Sequence, residues 1–355
     1  MQATRRMLML VIVLGTAAAG PTAATAAAAK VVKRPVTFKV ENLNRSEIGC
    51  PSDGAAYEVK GELIGPASKI GADAPEGRHS ATLYLHGFGF DGSFWSFSTV
   101  PRYDYAAALA RSGHVSVVVD RLGYGDSGRP QGNDICLGAQ ADVAHQIVGK
   151  LRAGDYAPQG AGSPRFERVA LAGHSLGALI AHVEAFSFED VDALVAMSYT
   201  PQVTQLTFAH FYRSRVVCDA GGEPATAGGP GGYAYFTDTA AEFDALVFHS
   251  AEPAVRETAT RLRARDPCGD GDSIVGGLVQ DLKSLSRVKV PVLVVCGTED
   301  AATPSFACPF LKRRYVGSSN ASLAFIRNAG HALTLERTAP KLRRRVGAWL
   351  GARGF

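Results

Sequence analysis

Short apolar runs rich in β-branched residues recur along the chain, each closed by a polar, small or turn-forming residue. They read ATLYLH at 81–86, VSVVVD at 115–120, VALAG at 169–173, ALVAMS at 193–198, VPVLVVC at 290–296 and SLAFI at 322–326. These runs are nearly continuous rather than alternating. That pattern predicts strands covered on both faces, as in a parallel sheet. Between them, residues 104–111, 139–151, 176–186, 306–315 and 340–350 read as helices. Strand and helix in alternation give an α/β fold with helices on both faces of the sheet. Two earlier segments, 36–42 and 57–64, alternate polar and apolar more cleanly and predict an antiparallel edge.

Residues 201–287 break this rhythm. They hold no clear buried strand, and glycine clusters at Gly221-Gly222 and from Gly228 to Gly232 mark loops. The segment is expected to be a cap inserted over the carboxyl edge of the sheet, between core regions 30–200 and 288–355. Its aromatics Phe208, Phe211, Tyr212, Tyr233, Tyr235, Phe236, Phe243 and Phe248 either line an apolar pocket or form the cap's own small core.

The start of the chain reads differently again. Arg5 and Arg6 precede an uncharged apolar run at 7–19, and an Ala-rich stretch at 23–29 ends at Lys30. A positive n-region, a short h-region and small residues before a cleavage point make 1–29 a secretory signal peptide. The run is shorter than the ~18–20 residues of a spanning helix, so no stable membrane insertion is expected after cleavage. Thr4-Arg5-Arg6-Met7-Leu8 faintly resembles a twin-arginine signal.

Composition narrows the class. The 355 residues are 46% hydrophobic, which supplies a sizeable core, and the net charge of +4 gives no basic stripe for nucleic acid. There is no C-x-x-C pair and no H-E-x-x-H, so no metal is expected from the usual zinc spacings. Export changes how the six cysteines are read. An even number in an oxidising compartment predicts disulfides, and the expected pairs are Cys218 with Cys268, Cys296 with Cys308 and Cys50 with Cys136. The plain alternative for Cys296 is a small buried strand residue.

Chemistry concentrates after the strand at 169–173, which runs into Gly173-His174-Ser175-Leu176-Gly177 and then a helix. A tight strand–helix turn strains the central serine and leaves no room for a Cβ at its flanks. The helix beginning there aims its N–H groups at developing negative charge. A serine hydroxyl needs a base, and His331 follows the last strand, which a parallel sheet places on the same edge as Ser175. An acid must hold the imidazole. Asp300, after the penultimate strand, is the first candidate and Glu299 the alternative. The N–H groups of Leu176 and Phe88 are the candidate oxyanion donors. Asp120 also ends a strand, but Arg121 and the Gly123/Gly125/Gly128 loop suggest a structural turn. His86, His174, His114 and His145 have local readings, as strand end, turn filler, strand start and helix face.

In order along the chain, LYLHGFG, VVVDRLGYGDSG, LAGHSLG, PVLVVCGTED and NAGHALTLE resemble the α/β-hydrolase family over residues 80–200 and 288–352. The resemblance implies an eight-stranded, mostly parallel sheet, with Ser175 as nucleophile, Asp300 as acid and His331 as base. It carries the oxyanion donors to Phe88 and Leu176. Epoxide hydrolases and haloalkane dehalogenases hold Asp where this chain has Ser175. The expected activity is hydrolysis of a small-molecule carboxylic ester through an acyl-enzyme, with no cofactor. A prolyl-type exopeptidase, or another amide or lactone hydrolase on the same triad, is the runner-up. A non-catalytic binding protein on the same fold is the alternative of a different class. Gly87-Phe88-Gly89-Phe90-Asp91-Gly92 also spells G-x-G-x-x-G, but Phe94, Trp95, Phe97 and Pro101 crowd the place where a pyrophosphate-binding helix would start.

Overall fold

A computed structural model describes residues 29–71, 79–160 and 162–355; the signal-peptide reading of 1–29 falls almost wholly outside them. The large sheet is built from β1 (Val31–Glu41), β2 (Ala56–Pro66), β3 (His79–Leu85), β4 (Ser116–Val119), β5 (Ala157–Pro158), β6 (Phe166–His174) and β7 (Ala193–Met197). The segment 201–287 adds β8 (Tyr233–Ala234) and β9 (Asp266–Pro267), and the sheet resumes with β10 (Val292–Gly297) and β11 (Ala321–Ile326). Its order is β11-β10-β7-β6-β3-β4-β2-β1-β5. Strands β3, β4, β6, β7, β10 and β11 are parallel, while β1, β2 and β5 form the antiparallel edge. Among the described residues the large sheet thus has nine strands rather than the eight expected. The ninth is the two-residue β5, whose pairing with Val36 and Thr37 no local sequence pattern could signal.

Each buried run is apolar throughout because its alternate residues serve two cores. Leu83, Val117, Leu171, Leu194 and Val294 face one core, covered by helices Leu137–Ala153 and Leu176–Ser187. Tyr84, Val118, Ala172, Val195 and Val295 face the other, covered by helices Tyr105–Ala110 and Ala339–Gly351. Chain order reverses at β3, with β4 on one side and β6 on the other. A crevice opens outside the carboxyl ends at such a switch point, and here it is lined by the residues after β3 and β6.

The three disulfides are Cys50–Cys136, Cys218–Cys268 and Cys296–Cys308, as the cysteine reading expected. The segment 201–287 contributes no strand to the large sheet. It folds as helices Gln205–Asp219, Ala240–Val247, Pro253–Arg261, Cys268–Asp272 and Ile274–Ser284 around the β8–β9 ribbon. Among the described residues, no helix is long and apolar enough to cross a membrane.

Candidate active site

Strand β6 passes directly into helix Leu176–Ser187 through Ser175, whose backbone sits at φ 53° and ψ −121°. Few side chains adopt that conformation, and it persists only where the surroundings over-determine it. The flanking glycines supply that constraint. A Cβ on Gly173 would lie 2.1 Å from the Gly177 carbonyl oxygen, and one on Gly177 would lie 2.3 Å from that of Leu85. Only bare backbone allows β3, β6 and the helix to approach this closely. The Ser175 N–H donates to the Met197 carbonyl, fixing the turn against β7.

Ser175 and His331 line one apolar cavity of about 50 Å³, together with Phe88, Leu176, Phe211, Phe236 and Phe243 among others. The His331 Nδ1 lies 3.0 and 2.9 Å from the two oxygens of Asp300. A carboxylate can only accept, so Nδ1 carries the proton and Nε2 is left as the basic nitrogen. Asp300 is itself held by the N–H groups of Ala302 and Thr303 and by the Thr303 hydroxyl, all at 2.9 Å. Glu299, the alternative acid, instead accepts from the Thr298 hydroxyl at 3.0 Å. The Cys296–Cys308 disulfide closes the loop that carries Asp300.

The Leu176 N–H is in the first turn of its helix and so has no acceptor within it. Phe88 lies across the cavity, in the loop leaving β3. Gly89, the next residue, donates its N–H to Asp266 Oδ1 at 2.8 Å. Asp266 comes from the inserted segment, and its Oδ1 also accepts from the Tyr124 hydroxyl at 3.0 Å. Burial pushes the Asp266 carboxyl up to about 7, against these hydrogen bonds and the Arg121 charge, which favour the ionised form. Arg121 is buried too. It donates through Nε to the His86 carbonyl and through Nη1 to Asp270, both at 3.0 Å. The loop that carries Phe88 is therefore braced from beneath by acids on the inserted segment.

Sequence reasoning missed these braces. It also missed two groups behind the imidazole. The His174 ring nitrogen Nε2, 3.0 Å from the His331 carbonyl oxygen, and the Ser198 hydroxyl, 2.8 Å from it, both donate to that oxygen. His174 is stacked on Phe94, and burial, then the neighbouring His331, holds it well below the usual histidine range. A neutral His174 keeps its role as donor without adding charge beside His331. His86 is likewise pushed well down, by burial and then by Arg121, and accepts the Arg121 N–H on Nε2. Asp120 accepts from the N–H groups of Gly92 and Asp126, the structural turn expected of it. The Gly87-to-Gly92 stretch leads into the three-residue 3₁₀ turn Gly92–Phe94 rather than into a helix.

The eight aromatics of 201–287 fall only partly into the two roles expected. Phe211, Phe236 and Phe243 line the cavity, whereas Phe248 is buried in the core. Tyr233 is buried with its hydroxyl on the Pro130 carbonyl, and Tyr235 lies under Arg263 and Arg265. Phe208 and Tyr212 are exposed on the rim of a second cavity of about 230 Å³. Phe88, Phe211 and Phe236 line both cavities and pack against one another with centroids 4.8–5.9 Å apart, Phe88 stacked on Phe236 and Phe211 edge-on to both.

A family model described as the alpha/beta hydrolase family matches residues 83–341. A search of curated protein sequences gave no match. Among solved structures, an esterase from Thermogutta terrifontis is 17% identical with a TM-score of 0.60, over 89% of this chain and 98% of that one. A monoacylglycerol lipase from Paleococcus ferrophilus is 19% identical with a TM-score of 0.56, over 77% and 96%. An enol-lactonase from Burkholderia xenovorans is 16% identical with a TM-score of 0.59, over 83% and 97%. At these identities the structures share a fold with this chain.

Proposed function

This chain belongs to the alpha/beta hydrolase family, and from that premise we propose that it is a secreted serine hydrolase acting on carboxylic esters with an apolar acyl or aryl group. The observation that carries the reading is His331, paired with Asp300, lining the same apolar cavity as the strained Ser175. Ser175 Oγ attacks the ester carbonyl while His331 Nε2 takes its proton. Asp300 holds the ring and stabilises its positive charge. The carbonyl oxygen becomes an oxyanion met by the N–H groups of Phe88 and Leu176. When the tetrahedral intermediate collapses, the C–O bond breaks and His331 returns the proton to the departing alcohol. Water then attacks the acyl-enzyme by the same route, releasing the acid and restoring Ser175.

The apolar acyl group is supported by the cavity lining, in which Leu179, Leu246, Val247, Ile274 and Leu278 join the aromatics. On this reading 201–287 is the cap of the site. Secretion is supported by the three disulfides, a kind of bond that persists in oxidising compartments. The solved neighbours described as an esterase, a lipase and a lactonase agree with ester-type chemistry.

The test is labelling with a fluorophosphonate probe, together with turnover of p-nitrophenyl esters of graded chain length beside aminoacyl-naphthylamides. Labelling that vanishes in Ser175→Ala, with turnover of the esters, is expected. Absence of labelling in the wild type overturns the nucleophile. Faster cleavage of the amides overturns the substrate class.

A further inference from the structure

Helices Leu137–Ala153 and Leu176–Ser187 pack side by side, and away from Ser175 they bring together three potential ligands. His145, Glu184 and Asp190 each present one ligand atom, all within 4.8 Å of one another. Glu184 is fully buried, and neither of its oxygens receives a hydrogen bond. The Asp190 Oδ1 has no partner either, while its Oδ2 lies 2.7 Å from His145 Nδ1. Two carboxylates side by side, one of them buried and bare, are costly unless a cation or a proton sits between them. The nearby guanidinium of Arg152 does not fill that role. Its hydrogen bonds go to the main-chain oxygens of Glu167 and Asp190 and to the Asp192 carboxylate.

We propose that His145, Glu184 and Asp190 form a binding site for one divalent cation of the zinc class. One imidazole nitrogen and two carboxylate oxygens suit such an ion, and three protein ligands leave a coordination position for water. Phe188 stacks on the His145 ring at 4.1 Å and 8°, which holds the plane of the ring. His145 and Asp190 are half-exposed, which gives the ion a way in, while Glu184 forms the dry floor. Ligands in tetrahedral zinc sites stand roughly 3.3–3.5 Å apart, given metal–ligand distances near 2.0–2.2 Å, and the three ligand atoms here already lie within 4.8 Å of one another. His145 lies 39 positions before Glu184, which is why no spacing motif marks the cluster. Bound there, the ion neutralises Glu184 and fastens two helices, one of which begins at the Ser175 turn.

The experiment uses the untagged, chelator-treated protein, titrated with ZnCl₂ by calorimetry, with the thermal midpoint followed in parallel. One ion per chain is expected, with a midpoint rise of about 5 °C at a hundredfold excess over the dissociation constant. Glu184→Gln has nearly the same shape without the charge, so it folds at least as stably as the metal-free wild type. It should lose both the heat and the rise, as should His145→Ala. No heat and no rise in the wild type at millimolar ZnCl₂ overturns the site, leaving a proton shared by Glu184 and Asp190. An undiminished response in Glu184→Gln also overturns it by placing the ion elsewhere. Neither readout depends on turnover, so the result stands apart from the assignment of hydrolase activity.

Discussion

On the proposed mechanism Ser175, His331 and Asp300 act as a unit, because a serine without its base or a base without its acid is chemically ordinary. Ser175→Ala and His331→Ala should each cost about a millionfold in kcat on a p-nitrophenyl ester, and combining them should cost little more. Strictly additive losses would show that the two do not share a step. Asp300→Asn should cost about ten-thousandfold, because it favours the wrong tautomer of His331 while leaving the ring in place. The three positions were legible in the sequence because each follows an apolar run that ends at the same edge of a parallel sheet. His174, Ser198 and Asp266 were not legible. Their roles lie in contacts to the main chain of His331 and Gly89, across distances in sequence that no local pattern spans.

At the level of elements, the strands were readable to within a few residues because burial on two faces demands apolar side chains at every position. Helices of the core were readable for the same reason, since each spends one face on the sheet. The segment 201–287 was not. Its helix Gln205–Asp219 exposes Leu206, Phe208, Tyr212 and Val216, so its apolar residues do not trace a buried stripe. Its strands β8 and β9 are two residues each and exist only through their pairing. On the proposed reading this segment helps set the size of the site, because its Phe211 and Phe236, together with Phe88 from the loop after β3, line both cavities. Phe236→Ala should join the two cavities and move the preferred acyl chain toward longer esters. The check is kcat/KM across the ester series for both proteins. An unchanged chain-length optimum would mean that the rings do not limit the acyl group.

For the whole molecule, the buried acids make stability depend on pH. Asp266, raised to about 7 by burial, keeps a proton in the folded chain that the unfolded chain gives up at the ordinary carboxyl range. Its contribution is complete below that range and lost as pH rises through about 7, because unfolding then releases the proton. Asp266→Asn keeps a carbonyl oxygen for Gly89 and Tyr124 but cannot ionise. Measured by urea denaturation, the variant should gain on the wild type by on the order of 2–3 kcal/mol between about pH 5 and pH 8. A constant difference across that interval would mean that Asp266 ionises as it does in water.

The ring closed by Cys296 and Cys308 spans 12 positions and contains Asp300. While both sulfurs are thiols, nothing covalent fastens the segment that presents its carboxylate to His331. Oxidation of the two thiols to the disulfide supplies that fastening. On the proposed reading of an exported ester hydrolase, the ring around Asp300 would close only in an oxidising compartment, so full competence would come after the chain has left the cell that made it.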